Sequence, residues 1–267
     1  MKTQFNFLFI AIVGMISSLH CYSQINNSDI KNLKLPEDEK TEKIKADLKR
    51  GMDGVRIIDK NLPMDGKPDE FKIYNDRIDF KIKDQSTTFL FSKLLDVKIE
   101  SIDINKYALN FSLKNEIDLG DFSFYTTNNQ RYPIDLRIGT PLRAIQKELT
   151  LQRDKILLDS FVPVAENYRK QVVKPEMPEE QRKLIVQANS VSEKKMYNDA
   201  IALYEKAVTV DQTSFPPAYF NLALLYAGVK NYYKAIFNMS KYIMLAPDAP
   251  DVRSSQDKIY EWELLIK

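Results

Sequence analysis

Histidine and cysteine are almost missing from this 267-residue chain, which has one of each, His20 and Cys21, close to its start. Glycine is scarce too, with 7 residues, and neither a GxxxxGK[ST] nor a GxGxxG phosphate loop occurs. Charge of one sign is lacking: Lys+Arg 39 against Asp+Glu 37 leaves a formal +2, which gives no electrostatic drive toward nucleic acid or an anionic membrane. Long apolar runs are confined to the first residues. Phe5 to Ile16 is apolar apart from Asn6 and Gly14, shorter than the ~20 residues a membrane span needs.

That run follows Lys2 and precedes a small-x-small site at Cys21 and Ser23, the pattern of a secretory signal peptide over residues 1–23. Cleavage before Gln24 would remove both His20 and Cys21. Disulfides, thiol nucleophiles, Ser-His-Asp triads and Cys/His zinc sites would then be impossible. Lipidation at Cys21 is the rival reading, but Ser18-Leu19-His20 is a poor lipoprotein site because His20 is bulky. The expectation is an exported chain, periplasmic or secreted, that is not an enzyme and carries no cofactor and no metal.

What is present is an ordinary globular mix, 44% hydrophobic and 28% charged, long enough for two domains. The expected class is α+β. Residues 24–64 read as a polar lead followed by an amphipathic helix, with Ile44, Leu48, Met52, Val55, Ile58 and Leu62 as its stripe. Gly51 and Gly54 weaken that helix. The period then becomes two. Ile78, Phe80 and Ile82 alternate with polar residues, as do Phe89 and Phe91, Val97 and Ile99, and Ile102 and Ile104. Leu109, Phe111 and Leu113, then Phe122 and Phe124, continue the alternation of half-buried antiparallel strands. So many apolar faces call for a closed barrel, a sandwich or a curved sheet. A helix follows over 142–159, with Leu142, Ile145, Leu149, Ile156 and Leu157 on one face. The order of elements over residues 65–160 resembles pleckstrin-homology-like or GRAM-like domains, which implies a module for lipid, peptide or protein. Residues 161–180, with Pro163, Pro175 and Pro178, read as a linker or helix.

Residues 181–267 carry an internal repeat. A shift of 35 residues superposes Ala188 on Ala223, Lys195 on Lys230, Tyr197 on Tyr232, Ala200 on Ala235 and Ile201 on Ile236. Its pattern resembles the tetratricopeptide repeat family over residues 180–266. Tyr219, Leu222, Ala223, Tyr226, Ala235, Met239, Tyr242 and Pro247 occupy the family positions in the second copy. Leu184, Gln187, Ala188, Val191, Ala200, Tyr204, Ala207 and Gln212 occupy them in the first, with Gln187, Val191, Gln212 and Tyr242 as departures. Asn198 and Asn231 stand where second helices need caps. A last helix over 250–266, with Ile259, Trp262 and Ile266 as its stripe, would cap the stack. Two repeats and a cap are short of the three repeats usually needed, so the helix around 142–170 is expected to pack on the first repeat.

The resemblance implies a concave groove for a peptide. Carried residue by residue, it would display Arg182, Ile185, Asn189 and Ser192, then Pro217, Phe220, Leu224 and Ala227. Ile185 stands where a carboxylate-clamping Lys would be, so an apolar or extended segment suits the groove better than a chain end. Burial of Phe220 and Leu224 by the rest of the chain is the competing reading. The dense tyrosines read as core, and Lys81, Lys83, Lys93 and Lys98 as a solvated strand face, since acids interleave with them. The paired acids Glu179-Glu180 and Glu261/Glu263 fall at helix ends or on the cap rather than in a cleft. The expected function is protein binding or scaffolding with a partner of the cell envelope. A lipid- or glycan-binding β module, with the repeats serving oligomerisation, is the alternative.

Overall fold

A computed structural model describes residues 30, 32–62, 64–97, 99, 101–103, 114–127 and 134–266. The expected signal peptide and the strands expected at Ile104 and at Leu109 to Leu113 lie outside the described residues. The chain divides into two units, Met1–Arg153 and Asp154–Lys267.

In the first unit, helix α1 (Glu39–Gly51) begins where the Asp38 carboxylate accepts from the Thr41 amide at 2.7 Å. Glu39 and Glu42 sit in its first turn and Lys49 and Arg50 in its last, each complementing the helix dipole. The helix stops short of the stripe expected through Leu62. A side chain at Gly51 would overlap the Arg137 carbonyl, and Gly54 adopts a left-handed φ of 68° that no helix continues through. The β-branched pair Ile57-Ile58 then enters strand β1 (Arg56–Asp59).

Among the described residues eight strands follow in two antiparallel sheets. Strands β2 (Met64–Gly66), β1, β8 (Phe122–Thr127), β7 (Lys114–Asp118) and β6 (Ser101–Asp103) form one, in that order. Strands β3 (Glu70–Ile73), β4 (Arg77–Ile82) and β5 (Gln85–Leu90) form the other. Register pairs Ile57 with Phe124 and Phe124 with Ile117 in the first sheet, and Ile78 with Phe89 in the second. These residues are buried, and so are Phe80 and Phe122. Phe80 and Phe89 meet Phe122 and Phe124 with ring centroids 5.1 to 6.1 Å apart. The sheets therefore face one another, and Gly66 lets them approach where an added Cβ would lie 3.3 Å from Ile82. Asp59 of β1 adds a polar link by accepting from the Thr87 hydroxyl of β5.

Barrel closure, one of the expected outcomes, does not occur. Among the described residues no ladder joins the two sheets, and β5 runs into a 3-10 helix (Phe91–Asp96) instead of pairing onward. Val97 and Ile99 accordingly lie outside any strand. The aromatic rings between the faces satisfy the burial that closure was invoked to provide.

Helix α2 (Thr140–Lys170) follows a π-helical turn (Asp135–Gly139), and Leu142, Ile145 and Leu149 are buried on it. Pro163 does not end the helix; it is exposed, where the hydrogen bond it removes costs least. Residues 140–153 belong to the first unit and 154–170 to the second.

The second unit is a run of helical hairpins: α3 (Glu179–Glu193) with α4 (Tyr197–Val210), then α5 (Pro217–Gly228) with α6 (Tyr232–Leu245), closed by α7 (Val252–Leu265). The 35-residue repeat shows in the backbone. Lys195 and Lys230 both have φ of 62°. The following amides bond back five residues, Met196 to Val191 at 3.0 Å and Asn231 to Tyr226 at 2.8 Å. Ala188, Ala200, Ala223 and Ala235 are fully buried, small enough for each pair of helices to close on one another. Asn231 caps α6 by accepting from the Lys234 amide. Asn198 does not cap; it lies inside α4, whose cap position is taken by Met196. The last helix buries Ser255, Ile259 and Trp262, while Tyr260, Leu264 and Leu265 face solvent beside its charges.

Phe161 of α2 meets the Tyr219 ring at 5.9 Å, and Arg169 donates to the Met244 carbonyl. These contacts reach the second copy, beyond the first copy on which the sequence pattern places this helix. Three rings surround Lys241, whose ammonium lies 4.6, 5.4 and 4.8 Å from those of Phe161, Tyr219 and Phe237.

Candidate functional site

The hairpins bring the facing sides of α3, α4 and α5 around a concavity of about 470 Å³. Asn189 and Ser192 come from α3, Tyr197 and Tyr204 from α4, and Asn221, Leu224, Leu225 and Gly228 from α5. On α5 the spacing 221, 224, 225 and 228 is a single helical face. Ala218, Tyr219, Leu222, Ala223 and Tyr226 occupy the core-facing side and are buried.

Tyr204 organises the floor. Its hydroxyl accepts from Asn221 Nδ2 at 2.7 Å and donates to Asn189 Oδ1 at 2.5 Å. The ring is 1% exposed, and burial raises the phenol above its ordinary value, so the hydroxyl stays neutral and keeps its donor. Leu224 is 38% exposed and gives the groove an apolar wall. Among the described residues no Lys, Arg, Asp or Glu lines the concavity.

Of the residues expected to display the groove, the structure brings together Asn189, Ser192 and Leu224. Ile185 is 6% exposed and belongs to the core. Arg182 is exposed but is held by Glu179 through two bonds of 2.8 Å, which keep the Glu179 carboxyl below its ordinary range. Phe220 is half-buried, edge-on to Tyr242 at 5.3 Å, and Ala227 is half-buried against the core. Pro217 opens α5 and is exposed. The competing reading thus applies to Phe220 and not to Leu224. Asn221, Tyr204 and Tyr197 were not anticipated. The three-residue step from Asn221 to Leu224 was a usable signal, whereas Tyr204 looked like core alone.

A second concavity, of about 520 Å³, lies on the first unit along the three-stranded sheet, with Phe71, Tyr74, Lys72 and Lys81 among its walls. Acids interleave with its cations: Glu70 stands opposite Lys81, and Lys72 opposite Asp79. Among the described residues no group of three or more His, Cys, Asp or Glu could hold a metal, and no helix is long and apolar enough to cross a membrane.

The second hairpin carries the family match. Residues 216–249 match the tetratricopeptide repeat family. A single repeat of that family is detected there. The match spans α5 and α6 and ends beyond Pro247. No family match supports the pleckstrin-homology-like resemblance of residues 65–160. No curated protein and no solved structure is significantly similar to the chain. A tetratricopeptide repeat suggests a protein–protein interaction module.

Proposed function

We propose that this chain is an exported, non-enzymatic binding or scaffolding protein that seats a segment of another cell-envelope protein in the groove between α3, α4 and α5. The observation that carries the reading is the uncharged concavity floored by the Asn189–Tyr204–Asn221 network. Polar groups held in place within an uncharged hollow are what orient a bound chain. The signal-like residues 1–23 supply the reason to look for the partner outside the cytoplasm.

A photo-crosslinking side chain placed at position 224 of the full-length protein, in its native host, tests this. A control at Val186, which is 55% exposed on α3 and does not line the groove, reports non-specific encounters. A protein adduct seen from position 224 and missing from position 186 supports the groove. Equal labelling at both, or none at 224, refutes it. The concavity on the three-stranded sheet favours a second reading, a lipid- or glycan-binding first unit. Co-sedimentation of the full-length protein with lipid vesicles, lost on Tyr74→Ala, would move the function there.

A further inference from the structure

We infer that the open face of the three-stranded sheet holds a short acidic oligosaccharide, one sugar ring resting on Tyr74 and a carboxylate held by Lys81 and Ser86. This rests on the second reading given above, adds the charge and length of the ligand, and is independent of the groove in the second unit.

The strand register lays out the face. Glu70, Lys81 and Ser86 stand side by side across β3, β4 and β5, and Lys72, Asp79 and Thr88 form the neighbouring row. Both rows line the concavity of about 520 Å³, with Tyr74 at its far end. Phe80 and Thr87 turn instead to the facing sheet, onto the Phe122 ring and the Asp59 carboxylate.

Counted along the sequence, the acids and bases of this face cancel; in the structure they do not. Asp79 accepts from Arg77 at 3.2 Å and from the Thr88 hydroxyl at 2.8 Å. Glu70 is paired with Lys72 at 3.4 Å. Both carboxylates are spent on other partners, and among the described residues none holds the Lys81 ammonium. Ser86, directly opposite Lys81, sets a hydroxyl donor beside that cation. An ammonium and a hydroxyl at one spot suit a carboxylate, which accepts from both.

The other end is aromatic. The Arg77 guanidinium lies 4.3 Å from the centroid of the Tyr74 ring and fixes its orientation, while the ring stays exposed. The C–H face of a sugar packs on such a ring, and its hydroxyls meet the polar rows alongside. The Tyr74 amide bonds to the Arg77 carbonyl, and Lys81 lies further along β4 by roughly 13 Å at the usual rise per residue. A single sugar does not span that distance, whereas a short chain of linked sugars does. A lipid fits less well: Leu62 is the one aliphatic residue among the described residues lining the face, so an acyl chain finds no slot.

Calorimetric titration of the full-length protein tests this with uronic-acid tetrasaccharides of α and β linkage, the same chains as methyl esters, and phosphatidylglycerol vesicles. The inference expects an acidic tetrasaccharide to bind and its ester to bind about tenfold more weakly. Lys81→Ala should cost the acidic chain about tenfold and leave the ester unchanged, and Tyr74→Ala should weaken both. Glu70→Gln should tighten the acidic chain by removing a like charge beside its carboxylate. These residues are exposed, and circular dichroism checks that each variant folds. The inference is overturned if no acidic chain binds, if ester and acid bind alike, or if Lys81→Ala leaves the acid's affinity unchanged. In those cases the second reading survives where esters or vesicles bind and are lost with Tyr74→Ala. If no binding responds to Tyr74→Ala, the second reading fails and the inference fails with it.

Discussion

Replacing Lys241 by Met should stabilise the second unit, and the gain should vanish at high pH. Lys241 is 6% exposed and its ammonium is pushed down to about 8, chiefly by burial, with Asp154 opposing the shift. In the unfolded chain the same group titrates at its ordinary 10.5. Near pH 7 it is charged in both states, so the folded state carries the full penalty, ~3 kcal/mol for that displacement. The three surrounding rings return part of it, about 0.5–2 kcal/mol for a partly desolvated cation–π contact. Methionine keeps the unbranched length without the charge. The expected gain near pH 7 is therefore about 1–3 kcal/mol. Between about 8 and 10.5 the unfolded chain binds the extra proton, so the parent gains stability as pH rises and the difference closes. Trp262 is the chain's single tryptophan and lies in the same core, so its emission during urea unfolding reports this unit. The chain's other ionisable groups are common to both proteins and cancel in the difference. A variant less stable than the parent near pH 7, or a difference that persists near pH 11, would refute the reasoning.

Other perturbations address the rest of the molecule. Gly51→Ala should cost about 1–3 kcal/mol, because the new methyl meets the Arg137 carbonyl; hydrogen exchange over residues 39–51 would show it. Asn231→Ala should lower stability by about 0.5–1 kcal/mol through loss of a cap, while Asn198→Ala should be close to neutral or slightly favourable; paired urea titrations decide. Asp59→Ala strips a partner from the Thr87 hydroxyl and the Asn61 amide and should cost about 1–3 kcal/mol, read by circular dichroism melting. Export predicts a mature chain beginning at Gln24, and the intact mass of protein purified from its host checks this.

Period and composition determined a good deal. The 35-residue repeat, carried by alanines at close helix approaches and by Lys195 and Lys230 at equivalent turns, specifies the two hairpins without reference to distant residues. Alternation likewise marks β4, where one-sided burial demands it, and β8, although its polar positions Ser123 and Thr126 are buried as well. What the tertiary structure decided are matters of partnership between remote segments. The helix of residues 39–51 ends where it does because Gly51 lies against Arg137, far along the chain, and Gly54 turns left-handed beside it. Two open sheets replace a barrel because four phenylalanine rings already fill the space between their faces. Helix α2 passes through Pro163 because that residue is exposed and Phe161 and Ala165 beside it are buried. The groove divides in the same way. Leu224 and Asn189 are legible from helical spacing, since exposure on one face follows from the repeat. The role of Tyr204 is not, for a buried aromatic reads as core until its hydroxyl is found between two amides from different helices.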